Sequence, residues 1–332
     1  MPDVLDIDLL AFEAGTTAQR RAMADAVVRS LGSGFVFVRH DVSSDLLDTA
    51  YAMLEQFFRL PVERKNRWRV PESHGQTGYT GLLVETAATS EVADWKEMLN
   101  WGAALSPHHP LRMHYPYRYF DPVLPEGDVP GITKVLEEFH ARVLDIQARF
   151  LHIVALGIGA DEAYFDDILR DGSHLTRAIH YPAMREAPSS DHVWADAHAD
   201  INVVTALPRA TERGLQLLSE DGWVDVVPPE GHMVLNSGMM LERLTNGRIG
   251  AGIHRVMATP DQVGDRYSVV QFCHPAPWFQ LGPLPSCVDD GHPVRYGTIE
   301  AGALLDRVLY EIGLLTDLSA DASPPTPEGT QS

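Results

Sequence analysis

The chain has 332 residues, 45% of them hydrophobic and 22% charged, which is the composition of a folded protein with one large domain or two smaller ones. Its 46 acidic side chains outnumber 26 basic ones for a formal charge of −20, a surface that repels phosphate backbones and anionic membranes, so neither nucleic acid nor a membrane is expected as a partner. Two cysteines, Cys273 and Cys287, with no CxxC pair, exclude a disulfide framework and a thiolate zinc site, and they suit a reducing, cytoplasmic compartment.

In chain order, residues 1–12 lack the basic start and the continuous apolar core of a signal peptide, and no apolar run anywhere is long enough to span a bilayer. Residues 17–31 place Met23, Ala26, Val27 and Leu31 on one helical face, and Gly32 and Gly34 stop the helix. Phe35 to Val38 reads as a short buried strand. Ser43 and Ser44 look like a cap for a helix through Leu47, Ala50, Met53, Leu54 and Phe57, limited by Pro61. A long amphipathic helix over 132–156 carries Val135, Phe139, Val143, Ile146 and Phe150 at helical spacing.

From Leu175 the texture changes to short apolar runs punctuated by Gly, Pro, Asp and Asn: LTRAIHYP, INVVTAL, GLQLL, WVDVV, HMVLN, IHRVMA and RYSVVQF. Short strands at this spacing predict a β-sandwich or barrel. The expected fold class is therefore α+β with a mainly β core. A helical and mixed accessory region covers 1–130, scaffold helices 131–170, the β core 171–285, a helical segment 286–318 with a closing helix over 301–312, and a disordered tail 319–332.

The chemistry-bearing residues lie in the β half. His198 and Asp200 are two apart, so on a strand they share a face and can converge on one metal. In a chain with 15 histidines such a pair alone is commonly accidental. His254 supplies a second imidazole at the start of an apparent strand. Two imidazoles and one carboxylate suit non-haem Fe(II) with open positions, although zinc accepts the same ligand types. Arg266 and Ser268 share a strand face and offer a guanidinium fork and a hydroxyl to a buried carboxylate. Arg177, Ile179 and Tyr181 share another face. An inward arginine needs an anion, which makes Arg177 a candidate anchor for a carboxylate on the primary substrate, with an internal salt bridge as the alternative. Tyr79, Trp194 and Phe279 are candidate pocket walls. His108, His109, His180 and His192 have no partner at metal-ligand spacing, and Met239 and Met240 read as core.

With His198, Asp200 and His254 as an HxD…H pattern and Arg266 and Ser268 as RxS, the chain resembles the Fe(II)- and 2-oxoglutarate-dependent oxygenases of the isopenicillin N synthase-like group. The likeness spans nearly the whole chain. Tyr181-Pro182, Gly214-Leu215-Gln216 and Thr245-Asn246-Gly247 stand where that group carries its YP, GLQ and NG signatures. Gly34-Phe35-Val36, Phe57-Phe58-Arg59-Leu60-Pro61 with Lys65, Gly78-Tyr79 and Asp94-Trp95-Lys96-Glu97 follow in the order of its accessory region. Ala199 replaces the usual Thr or Ser between the ligands, and Ile179 an Asn of some plant members; neither removes a metal ligand.

The resemblance implies a double-stranded β-helix (jelly roll) that binds Fe(II) through His198, Asp200 and His254 and uses 2-oxoglutarate and O₂. Arg266, Ser268 and Tyr181 would hold the distal carboxylate of 2-oxoglutarate. The implied reaction is hydroxylation, desaturation or ring formation on a small organic substrate in secondary or amino-acid metabolism, with no oligomer required. Two alternatives remain at this stage: an isopenicillin N synthase-type oxidase that needs no 2-oxoglutarate, and a non-catalytic jelly-roll binding protein.

Overall fold

A computed structural model of the chain describes residues 4–86 and 91–311. The first half contributes strands β1 (Asp6–Asp8), β2 (Phe35–Arg39), β3 (Gly78–Thr80) and β4 (Glu97–Trp101). The seven apolar runs of the second half all become strands: β5 (Leu175–Tyr181), β7 (Val204–Ala210), β8 (Leu215–Ser219), β9 (Gly222–Asp225), β10 (His232–Ser237), β11 (His254–Val256) and β12 (Arg266–Cys273). Strand β6 (Ala195–His198) lies between the first two. An eight-stranded sheet runs in the order β1-β2-β10-β7-β12-β5-β4-β3, and a four-stranded sheet in the order β6-β11-β8-β9. Neighbours are antiparallel except β1 and β2.

The two sheets enclose an apolar interior in which Ile179, Tyr181, Leu207 and Val234 of the large sheet meet Ala195, Leu217 and Val256 of the small one. This is the jelly-roll sandwich, in which inward residues alternate along each strand. Behind the large sheet lies the helix Ile132–Gly157, whose Leu136, Phe139, Val143, Ile146 and Phe150 are fully buried. Its Gln147 amide donates to the Val204 and Gln271 carbonyls at 3.0 and 2.9 Å, beside the β-bulge where β12 shifts register against β7. A buried side chain thus satisfies carbonyls near the bulge.

Residues 1–130, read as an accessory region, supply four of the eight strands of the main sheet. Some expectations are corrected. The helix Thr17–Ser30 starts at a Thr16–Gln19 capping box and buries Ala24, Val27 and Val28, so its inner face is turned from the one through Met23 and Ala26. Ser43 precedes the helix Ser44–Phe58 but makes no side-chain cap. The closing helix is Ala301–Glu311; Ile312 and the expected tail 319–332 lie outside the described residues. Among the described residues no helix is long and apolar enough to cross a membrane.

Candidate metal and carboxylate site

Strand pairing, more than sequence spacing, assembles the metal-ligand candidates. β11 runs antiparallel to β6 with His254 directly opposite His198, and their ring centroids are 4.4 Å apart. Asp200 lies two residues past the end of β6, so it reaches the site from the strand exit, not from the pleat of a continuous strand. One ligand atom from each of His198, Asp200 and His254 lies within 4.8 Å of the other two. Close backbone approach fixes the segment before His254: at Gly34 (φ +81°) a Cβ would sit 2.2 Å from the Gly252 Cα.

The surrounding hydrogen bonds leave the donor atoms aimed at one point. His198 Nδ1 lies 2.7 Å from the Asp196 carbonyl and His254 Nδ1 2.9 Å from the Gly252 carbonyl. Only an N–H satisfies a carbonyl, so each ring commits Nδ1 to the backbone and leaves Nε2 as the nitrogen available to a metal. Asp200 Oδ2 accepts from Thr205 Oγ1 at 2.6 Å and Asn236 Nδ2 at 2.7 Å, while Oδ1 faces His198 Nε2 at 4.0 Å. Desolvation first, and His254 second, lower the His198 pKa to about 4, which keeps the ring neutral. For Asp200, burial pushes upward, but His254, His198, Thr205 and Asn236 together hold the carboxyl below its usual range. Two imidazoles and one carboxylate are a donor set that fits a divalent first-row metal.

Arg266 enters the same space from the large sheet. It stands opposite Tyr181 in the β12–β5 register, with Ser268 opposite Ile179. The guanidinium lies 4.9 Å over the Tyr181 ring; Nη1 donates to Ser268 Oγ at 3.2 Å and Nε to the Glu212 carbonyl at 3.2 Å. Arg266 is 1% exposed, and among the described residues no carboxylate comes within ion-pairing distance of it. A buried cation without a close anion is costly, so Arg266 is placed where an anionic group would offset that cost. Arg266, Ser268, Tyr181, His198, Asp200 and His254 all line one cavity of about 70 Å³.

Arg177, Ile179 and Tyr181 line that cavity too, as the strand pleat predicts. The argument from the burial of Arg177 to a substrate carboxylate is corrected, however. Glu85 supplies the anion 3.2 Å away, and Asn100 Oδ1 accepts from Nε at 2.7 Å.

The three aromatic wall candidates are also corrected, since none of them lines this cavity or the outer one beside it. Tyr79 packs edge-on against Phe57 and donates its hydroxyl to Glu97, in a buried cluster with Lys65 and His180. Trp194 stands behind Tyr181, its indole N–H bonded to the Pro182 carbonyl at 2.9 Å. Phe279 packs on the helical side of the large sheet.

The residues that do form the wall include Lys96, Phe272, Thr205 and Asn236. Counting by two from Ser268 through Val270 would have found Phe272. An outer cavity of about 330 Å³ shares Lys96, Arg177, His198, Asp200 and Phe272 with the inner one and extends to Met239 and the helix residues Leu305, Val308 and Leu309.

Comparison with known proteins agrees with this geometry. Residues 3–122 match the model of the non-haem dioxygenase in morphine synthesis N-terminal region, and residues 172–275 that of the 2OG-Fe(II) oxygenase superfamily. A 2OG-Fe(II) oxygenase family protein from Caulobacter crescentus is 30% identical with a TM-score of 0.81, over 93% of this chain and 99% of that one. A full-length Neurospora crassa protein, solved with α-ketoglutarate and thymine, is 26% identical with a TM-score of 0.78, over 92% and 96% of the two chains. The 2'-deoxymugineic-acid 2'-dioxygenase of Hordeum vulgare is 26% identical over 89% of this chain and 81% of its own.

Proposed function

The chain belongs to the 2OG-Fe(II) oxygenase superfamily, and from that premise we propose that His198, Asp200 and His254 hold its iron while Arg266, Ser268 and Tyr181 hold the distal carboxylate of 2-oxoglutarate. The enzyme is a non-haem Fe(II)- and 2-oxoglutarate-dependent dioxygenase that oxidises a small organic molecule. Bound Fe(II) and 2-oxoglutarate supply the activation of O₂ and the oxidation of the substrate. The chain's own residues bind, orient and exclude water.

One observation carries the assignment of the carboxylate site: a buried arginine with no carboxylate in ion-pairing distance among the described residues, in the same small cavity as the three metal-ligand candidates. A carboxylate there gains a charge-assisted fork from Arg266 and a hydroxyl donor from Ser268, and Tyr181 shields both from water. The Nδ1 bonds of His198 and His254 hold the rings in place, and Thr205 with Asn236 holds Asp200, so the ligands need little rearrangement on metal binding. In this reading residues 1–130 act as the accessory region, which adds four strands to the main sheet, and residues 131–170 as scaffold helices, a division supported by the helix Ile132–Gly157 on the back of the large sheet. A reducing, cytoplasmic setting is supported by the two buried free thiols, Cys273 and Cys287.

The test is O₂ consumption by the iron-loaded enzyme with and without 2-oxoglutarate, with succinate measured in parallel. Uptake that requires both iron and 2-oxoglutarate, with succinate formed, supports the assignment. Iron-dependent uptake with a substrate but without 2-oxoglutarate indicates the oxidase alternative.

A further inference from the structure

The outer cavity holds a charge network that the reaction scheme above does not use. Lys96 Nζ lies 2.8 Å from Asp94 Oδ2 and 3.2 Å from Glu85 Oε2, and Glu85 Oε1 lies 3.2 Å from Arg177 Nη1. Asp94 Oδ1 is taken by the Asp196 amide at 3.0 Å. All four side chains line the cavity and are at most 13% exposed. Burial pushes the Glu85 carboxyl upward and the Lys96 amine downward, but the neighbouring opposite charges win in both cases and keep the pair ionised. Two cations and two carboxylates sum to zero.

That balance bears on what can bind. A ligand carboxylate entering a desolvated network that is already neutral brings an uncompensated charge, and Glu311 at the rim adds another repulsion. Hydrogen-bonding capacity nevertheless remains. Among the described residues the buried Glu85 Oε1 accepts no hydrogen bond of good geometry, its 3.2 Å approach to Arg177 Nη1 being an ion-pair contact only. Among the described residues, Lys96 has one N–H beyond those directed at Asp94 and Glu85, and the Arg177 Nη2 group is uncommitted. An acceptor and several donors stand side by side, with Phe272, Met239, Leu305, Val308 and Leu309 forming an apolar wall. The volume of about 330 Å³ is at the small end of ligand cavities.

We propose that the primary substrate is an uncharged, compact molecule of the amide or lactam class, whose C=O accepts from Lys96 and Arg177, whose N–H donates to Glu85 Oε1, and whose hydrocarbon body lies against Phe272 and the closing helix. The inference deepens the oxygenase reading of the adjoining site and rests on it for the word substrate. The recognition itself uses protein groups only, so it is measurable without metal.

The experiment is calorimetry with matched probes, benzamide against benzoate and cyclohexanecarboxamide against cyclohexanecarboxylate. It is run on oxygen-free Fe(II)- and 2-oxoglutarate-loaded enzyme and on metal-free protein carrying Arg266→Met. Each amide is expected to bind at least tenfold more tightly than its carboxylate in the loaded enzyme, where 2-oxoglutarate occupies Arg266, and in the metal-free Arg266→Met protein, where the carboxylate probes have no second anion site. Glu85→Gln leaves the network with one excess positive charge, so it should weaken the amides severalfold and strengthen the carboxylates tenfold or more. Lys96→Gln changes the charge in the opposite sense and should weaken the carboxylates further, which keeps the test decisive if Glu85→Gln does not fold. Preference for the carboxylates in the wild type, equal or absent binding of both classes, or no response of the preference to these variants overturns the proposal. Failure of iron or 2-oxoglutarate to bind would count against the oxygenase reading instead, and the amide preference is still read on the metal-free Arg266→Met protein.

Discussion

Replacing Arg266 separates ligand binding from folding, because its charge is buried and, among the described residues, no carboxylate lies within ion-pairing distance. In Arg266→Met the long apolar stem is retained and the charge is lost. The 2-oxoglutarate carboxylate then loses a charge-assisted fork in a dry site, which costs about 2–5 kcal/mol, or roughly 30-fold to several-thousand-fold in affinity. The folded protein without co-substrate pays no such cost. Removing an unpaired buried cation relieves desolvation, so the melting temperature of the free variant should hold or rise.

Wild-type enzyme in 2-oxoglutarate at about 100 times Kd gains about 2.7 kcal/mol by linkage. For a chain of this length that corresponds to a shift of about 4 °C. Thermal melts of the metal-loaded protein with and without 2-oxoglutarate, read beside isothermal calorimetry, make the measurement. The variant should shift by about 1 °C or less at the concentration that shifts the wild type by about 4 °C, and Arg266→Lys should recover only part of the difference, because an ammonium lacks the planar fork. An unchanged 2-oxoglutarate affinity in Arg266→Met would refute the reasoning, and so would a free variant that is strongly destabilised.

Three further outcomes are expected. Asn236→Ala removes one of the two donors that hold Asp200 Oδ2 and should lower iron affinity by about 10–100-fold in a competition titration, with little change in 2-oxoglutarate affinity at saturating metal. Tyr79→Phe removes a hydroxyl donor from the buried Glu97 carboxylate and should cost about 1.5–3 kcal/mol in denaturant unfolding while leaving the KM values unchanged, since Tyr79 is in the core and not in the pocket. His140 and His274, both buried, have pKa values lowered by desolvation to about 3. An unfolded imidazole takes up a proton below about pH 6.5 whereas these folded rings stay neutral, so stability is present above that pH and is lost as the pH falls toward 3. Denaturant titrations between pH 6.5 and 4 should show this slope, and His140→Gln should reduce it by about one proton; an unaltered slope in the variant would contradict the assignment.

The strands of the second half were legible because each apolar run is short and bounded by turn residues, a pattern that leaves little choice of register or element. The RxS spacing was legible for the same reason, since Arg266 and Ser268 share a face of β12, whereas Asp200 lies past the end of β6 and the strand rule that paired it with His198 does not describe how it reaches the site. The inner face of the helix Thr17–Ser30 was less so: Ala24 and Val28 compete with Met23 and Ala26 on hydrophobicity, and only packing decides between them. Strands β1, β3 and β4 are short or irregular and become strands through pairing with distant partners.

The same distance hid the charge network. Glu85, Lys96 and Arg177 meet only because β4 pairs with β5, and no local rule brings a carboxylate to an arginine 92 residues away. Choosing pocket walls by aromatic character favoured Tyr79, Trp194 and Phe279, all of which are held in place by packing or buried hydrogen bonds. Period-two counting from Ser268 points to Phe272 instead.

The central claim is that one Fe(II) sits on His198, Asp200 and His254. Equilibrium iron titration of the metal-free chain, with the wild type beside Asp200→Ala and His254→Ala under oxygen-free conditions, tests it most directly. One iron per wild-type chain is predicted, with most affinity gone in either variant because two remaining ligands hold a divalent ion poorly. Stoichiometric iron retained by His254→Ala with wild-type affinity would contradict the account.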